Sequence, residues 1–296
     1  MSSKWRMRKS QFLNMSIQLK SSIVSVDWLH NHLNHKDLII LDCTIPKVTA
    51  NKSKLAISEK EQIKGAIFFD IKHVFSDKIA EFPNTVLSPE EFEQKAQDLG
   101  IHKNSIIVCY DDLGIYSSPR VWWNFKLMGF NTIAVLDGGL PKWKANHFPI
   151  EKSNDHQLKK GNFKTNYQPK KVKFTSDLLT AIENDAILIA DARSKGRFYG
   201  TAPEPRKSVK SGHIPNSVSL PYPEVLENGL LKSKEELFVI FNKLINNKQE
   251  VIFSCGTGIT ASILALAAAI AGIQNYAVYD GSWTEWGSTD NLPIVL

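Results

Sequence analysis

The chain has 296 residues, 43% of them hydrophobic and 22% charged, which suits two globular domains of about 150 residues and excludes a disordered or fibrous chain. Its three cysteines form no C-x-x-C pair, so a disulfide framework and a zinc site are both excluded. A net charge of +6 with no aromatic-interleaved basic patch argues against nucleic acid and leaves a mildly cationic surface suited to small anions.

Residues 1–20, MSSKWRMRKSQFLNMSIQLK, carry Lys4, Arg6, Arg8, Lys9 and Lys20 and no acid. They read as a disordered extension or a mis-called start, with Met15 a candidate for the true one. A transit peptide is the other reading, so a cytoplasmic location is expected with the mitochondrion left open. His30, His32 and His35 follow in LHNHLNHK, with no cysteine or carboxylate at ligand spacing. They read as a solvated helix face, and neither a metal nor a cofactor is expected.

Between residues 21 and 150, the short apolar runs DLIILDCT, GAIFFDI, SIIVCYDD and TIAVLDGG alternate with helical patterns such as SPRVWWNFKLMGF. Residues 151–173 are polar and lysine-rich and read as a linker. From 174 to 296 the same grammar returns: AILIADAR, HIPNSVSLPY, EVIFSCGT, TASILALAAAIAGI and YAVYDGSWTEW. The closing motifs are the most alike, VLDGGLPKW at 135–143 against VYDGSWTEW at 278–286. Short β-branched runs without alternation are strands buried on both faces, hence parallel. The expected fold is α/β, with two tandem domains, each a small parallel sheet with helices on both faces. No apolar run reaches the roughly 20 residues of a membrane span, and Ala261 to Ile273 reads as a buried helix.

Counting back from the closing motif sets Cys255 opposite Asp112, so only the second domain has a thiol at this strand-to-helix turn. The turn reads SCGTGIT. Gly256 and Gly258 let the backbone bend so that its amides converge, and the following helix N-terminus favours negative charge there. Such a loop supports a thiolate nucleophile. A tyrosine-phosphatase-like loop would need C-x5-R, and position 261 is alanine. A papain-like site would need a different setting for its cysteine.

Together these segments resemble the two-domain rhodanese family of sulfurtransferases, from about Ser21 to the end of the chain. The matching stretches are FFDI at Phe68, SSPRVWW at Ser117, LDGGLPKW at Leu136, DARSKGRFYG at Asp191, EPR at Glu204, GHIP at Gly212, CGTGIT at Cys255 and YDGSWTEW at Tyr279. The resemblance implies an inert first domain and a catalytic second one. It implies that Cys255 takes a sulfane sulfur from a small anionic donor, becomes a persulfide, and passes the sulfur to cyanide or a thiol, with a thioredoxin-like protein among the acceptors. No nucleic acid or membrane partner is implied. Thr257 would stabilise the departing enolate, although a turn residue of this kind needs no catalytic role. Thiosulfate-preferring relatives carry basic side chains in the loop; here Gly256, Thr257 and Gly258 are neutral, and Ile259 and Thr260 complete the binding set. The donor implied is therefore 3-mercaptopyruvate, its carboxylate held by Arg197 and Arg206, because a guanidinium fork meets a carboxylate bidentately. A thiosulfate sulfurtransferase of the same fold and a non-catalytic persulfide carrier are the alternatives. Arg193 and His213 read as scaffold.

The first half departs from the family. It has Gln62-Ile63-Lys64-Gly65-Ala66 where HIPGA is common, and the positions of an assisting aspartate and histidine hold Lys72 and Asn84. These residues argue against a protease-like relay; His73 is left open as a substitute.

Overall fold

The computed structural model describes residues 17–46, 60–153 and 158–296; most of the expected N-terminal extension, residues 1–16, lies outside these. In the first half the strands are β1 (Ile23–Val24), β2 (Leu38–Asp42), β3 (Glu61–Ile63), β4 (Ala66–Phe68), β5 (Ile106–Tyr110), β6 (Ile133–Leu136) and β7 (Ile150–Lys152). The helices are α1 (Val26–His32), α2 (Pro89–Asp98), α3 (Ser118–Leu127) and α4 (Gly139–Ala145). The second half has β8 (Val172–Lys173), β9 (Ile187–Asp191), β10 (Ser217–Ser219), β11 (Leu226–Glu227), β12 (Leu230–Leu231), β13 (Glu250–Ser254) and β14 (Tyr276–Tyr279). Its helices are α5 (Thr175–Ala181), α6 (Lys195–Phe198), α7 (Lys234–Ile245), α8 (Ala261–Ala271) and α9 (Ser282–Trp286).

Each half builds one five-stranded sheet, in the orders β1-β6-β5-β2-β4 and β8-β14-β13-β9-β10, with every pair parallel. The two orders are the same arrangement repeated. Alternate residues of each strand serve opposite faces, as strand geometry requires. On β5, Val108 and Tyr110 pack under α1 and α4, while Ile107 and Cys109 face α2 and α3. On the second sheet, Ile252 faces α5 and α9, and Val251 and Phe253 face α7 and α8. The inner faces of the two sheets contribute to one continuous core, in which α3 packs on α8. Helix α8 buries nine of its eleven residues, which explains why its sequence is apolar all round.

Helix starts follow local chemistry. Ser88 caps α2 by accepting from Glu91 N, with Pro89 at the first position, and Ser233 forms a capping box with Glu236 at α7. Within the stretch read as a linker, β7 pairs with β3, Phe163 is buried, and β8 belongs to the second sheet. The histidine-rich helix face is only partly solvated: His30 stacks on Phe148 and His32 on Trp28. No metal-holding group occurs among the described residues.

The register of the repeat corrects one expectation. Leu140 N donates to Asp111 O at 3.0 Å, and Trp283 N donates to Cys255 O at 2.9 Å. Tyr110 pairs with Asp42 as Ser254 pairs with Asp191. Asp111, not Asp112, therefore stands opposite Cys255. The first-half loop between strand and helix is one residue longer, which counting from the closing motif does not reveal.

Candidate active site

Strand β13 ends at Ser254, and Cys255 follows it with only 1% of its surface exposed. The loop to α8 is shaped by the start of α9. Trp283 N and Thr284 N take the carbonyls of Cys255 and Gly256, both at 2.9 Å, and Cys255 N donates to Ser282 Oγ at 3.2 Å. Ser282 adopts φ +51°, the same left-handed state as its counterpart Gly139. A β-carbon makes that state cost about 1–2 kcal/mol; the serine hydroxyl offsets it by serving Cys255 N and donating to Tyr279 O at 2.8 Å.

With its first carbonyls held by α9, the loop has its amides to spare. Among the described residues, the N–H groups of 256–261 donate to no protein acceptor. The first half shows what such a loop does. There the Asp111 carboxylate accepts from Leu113 N at 3.0 Å, Tyr116 N at 2.9 Å, Ser117 N at 3.0 Å, Ser118 N at 2.9 Å and Ser118 Oγ at 2.7 Å. One loop encloses its own anion. The other has the donors and a sulfur in place of the carboxylate.

Gly258 sits at φ +75°, and a β-carbon there would lie 2.6 Å from Arg120 Nη1 and 3.2 Å from Asp280 O. Arg120 comes from α3 of the first half. It is buried, pairs with Asp280 at 2.6 Å, and donates through the same nitrogen to Asn84 O at 2.8 Å. Among the described residues its Nη1 has no hydrogen-bond partner. Gly258→Ala should therefore destabilise the protein by about 2–4 kcal/mol, the left-handed cost plus overpacking against a buried ion pair. Chemical denaturation checks this; a loss below 1 kcal/mol would show that the loop relaxes away from Arg120.

A cleft of about 690 Å³ opens over Cys255 and is walled by both halves. Gly256, Thr257, Ile259 and Thr260 line it beside Arg197 and Arg206. Of the residues expected to bind the donor, only Gly258 lies outside the wall, turned instead toward Arg120. Arg197 is held by Glu204, Nε to Oε1 at 3.0 Å and Nη2 to Oε2 at 2.6 Å. Arg206 has only Thr284 Oγ1, at 3.3 Å from Nη1, and no acid partner among the described residues. Arg193 is buried between Asp191, Glu204 and Gly212 O, with its guanidinium over the Trp283 ring. His213 stacks on Phe198 and contacts its carbonyl at 3.0 Å.

The first half reaches the site through residues that sequence reasoning left without a role. Asn84, at φ +66°, donates from Nδ2 to Thr257 Oγ1 at 3.0 Å. Lys72 lines the cleft, whereas the His73 side chain is 78% exposed and paired with Asp70, away from the wall. Tyr116 also lines the cleft; burial, and then the neighbouring Cys255, pushes its phenol up to about 12, so it remains a hydroxyl. Its position next to SSPR in the first-half loop was the available signal.

A thiol in an amide-lined strand-to-helix loop of a parallel sheet is a setting for sulfur chemistry, and the known proteins that this chain is similar to are sulfurtransferases. The rhodanese-like domain model matches residues 25–146 and again 174–289. The chain is 38% identical over 301 residues to the thiosulfate/3-mercaptopyruvate sulfurtransferase 2 of Arabidopsis thaliana, covering 94% of this chain and 88% of the relative. It is 34% identical to the human 3-mercaptopyruvate sulfurtransferase, covering 92% and 93%. Its fold is similar to the crystal structure of a 3-mercaptopyruvate sulfotransferase from Escherichia coli, with a TM-score of 0.79, 30% identity, and 89% and 99% of the two chains covered. The chain belongs to the rhodanese family. It is a sulfurtransferase enzyme, and among its described residues no helix is long and apolar enough to cross a membrane.

Proposed function

We propose that the second half, residues 174–296, moves a sulfane sulfur from 3-mercaptopyruvate to a thiol or to cyanide through a persulfide on Cys255, with the first half, residues 21–150, inert in sulfur transfer. The observation that carries this reading is the set of uncommitted amides around Cys255, matched in the first half by amides committed to Asp111.

The Cys255 thiolate attacks the donor sulfur. The carbon–sulfur bond breaks, its electron pair leaves as the enolate of pyruvate, and a proton completes pyruvate. The sulfur stays on Cys255 as a persulfide, whose outer atom is held by the loop amides as a carboxylate oxygen is held in the first half. An acceptor thiolate then attacks that outer sulfur and returns Cys255 as a thiolate. Because Asn84 Nδ2 donates to Thr257 Oγ1, the threonine O–H is free to point at the enolate oxygen. The neighbour is an amide, and an amide does not relay a proton from that threonine. Donor choice follows from the side chains of the loop, which bring no cation of their own, and from Arg206, which has no acid partner among the described residues.

Rates with 3-mercaptopyruvate and with thiosulfate test the reading; a wild-type enzyme that prefers thiosulfate overturns the donor and leaves the persulfide standing. Thr257→Val should lower kcat about tenfold while Thr257→Ser retains most of it, since one hydrogen bond to a developing oxyanion is removed. Equal activity of the two variants would assign Thr257 to the turn alone.

A further inference from the structure

Arg197 and Arg206 line the cleft, yet the structure gives only one of them an unbalanced charge among the described residues. Glu204 is tucked behind Arg197 with 5% of its side chain exposed, and its two oxygens take Arg197 Nε and Nη2. Arg193, the other partner of Glu204, is balanced by Asp191, whose side chain is 2% exposed. At the mouth, Lys72 and Lys78 are accompanied on the wall by Asp77 and Glu81. What is left over is the single charge of Arg206. Since the acids behind the arginines are buried, salt screens them poorly and the cancellation is felt in the cleft.

We propose that Glu204 is a specificity-determining residue that sets the donor site for a monoanion. It does so in two ways. It occupies the Nε–Nη2 edge of Arg197, so that of the five N–H donors only those of Nη1 and the second of Nη2 remain for a ligand. It also removes one unit of positive charge a short step from the loop: Arg197 Nη2 lies 3.3 Å from where a Gly256 β-carbon would be, and the Glu204 carboxylate is one hydrogen bond further. A monocarboxylate such as 3-mercaptopyruvate matches the remaining charge, and a dianion such as thiosulfate or sulfate does not. This inference builds on the donor reading above and adds the residue that enforces it.

The test compares Glu204→Gln and Glu204→Asp with wild type in two assays. Glutamine keeps an acceptor for Arg193 and Arg197 while removing the charge; aspartate keeps the charge. In turnover, Glu204→Gln should raise the ratio of thiosulfate to 3-mercaptopyruvate specificity constants about tenfold, mainly through a lower KM for thiosulfate, and Glu204→Asp should stay within about twofold of wild type. In the second assay, with no turnover, sulfate and pyruvate are tested as protectants of Cys255 against iodoacetamide. Glu204→Gln should strengthen protection by sulfate about tenfold and leave that by pyruvate within about threefold.

A folded Glu204→Gln enzyme whose donor ratio and sulfate protection both equal wild type overturns the proposal. So does a parallel loss for both donors in both variants, which would make Glu204 a strut for the two arginines. A wild type that prefers thiosulfate sinks the donor reading, a result visible before any variant is made.

Discussion

Cys255→Ser should abolish sulfur transfer, leaving less than about one thousandth of wild-type turnover with any donor. Intact-mass measurement of donor-treated wild type should show one added sulfur atom, and the variant none. The reason is positional. Cys255 alone among the three cysteines sits in a loop with uncommitted amides; Cys43 and Cys109 lie in the first-half core, with Sγ atoms turned to Leu41 O and to the carbonyls of Ser118 and Ala134. Burial, then the neighbouring Cys109, keeps the Cys43 thiol well above the ordinary thiol range, which removes it as a nucleophile. Cys43→Ala and Cys109→Ala should therefore retain turnover in the folded protein, at some loss of stability from the smaller side chain. A folded Cys43→Ala enzyme without activity would overturn the assignment of the sulfur to Cys255 alone.

Arg206→Ala should lower the specificity constant for 3-mercaptopyruvate ten- to a hundredfold, which corresponds to about 1.5–3 kcal/mol for a charge-assisted contact to a carboxylate. The effect should exceed that of Arg197→Ala on binding, because Arg197 is already engaged by Glu204 whereas Arg206 holds only the Thr284 hydroxyl. Thiosulfate, which has no carboxylate, should lose less. Equal losses for the two donors would give Arg206 a scaffold role, as its contact to α9 would then be the one that matters.

The parts of the fold that could be read from the chain are those with a local cause. Runs such as IIVC on β5 and VIF on β13 are apolar without alternation because both faces are covered, and that pattern is visible in any window. The thiol loop is legible for a similar reason: two glycines between a strand and an apolar helix mark a tight turn whatever surrounds it. The contacts that complete the site have no such mark. Arg120 pairs with Asp280 across 160 positions, Asn84 meets Thr257 across 173, and Val86 N donates to Asp280 Oδ2 across 194. Nothing periodic connects those residues. Glu204 belongs to the same group: EPR draws attention to its arginine, and only the folded chain shows that the glutamate restrains Arg197. The displacement of Asp112 for Asp111 has the simplest origin, one additional residue in a turn.

The packing of α3 on α8 has a consequence for how two alike halves came to differ. A symmetric homodimer built from one such unit carries the same residue at both of its turns, so a cysteine in one is a cysteine in the other. Joining the halves in one chain breaks that identity. The tether also turns association into an intramolecular event, with an effective concentration on the order of millimolar, so neither half needs a contact surface strong enough to recruit a free partner. Within one chain the first-half turn carries Asp111, whose carboxylate oxygens keep its amides occupied, while Asn84 and Arg120 reach across to the other half. The architecture occurs twice, and covalent linkage lets Asn84 and Arg120 of one copy brace the loop and the Asp280 carboxylate of the other.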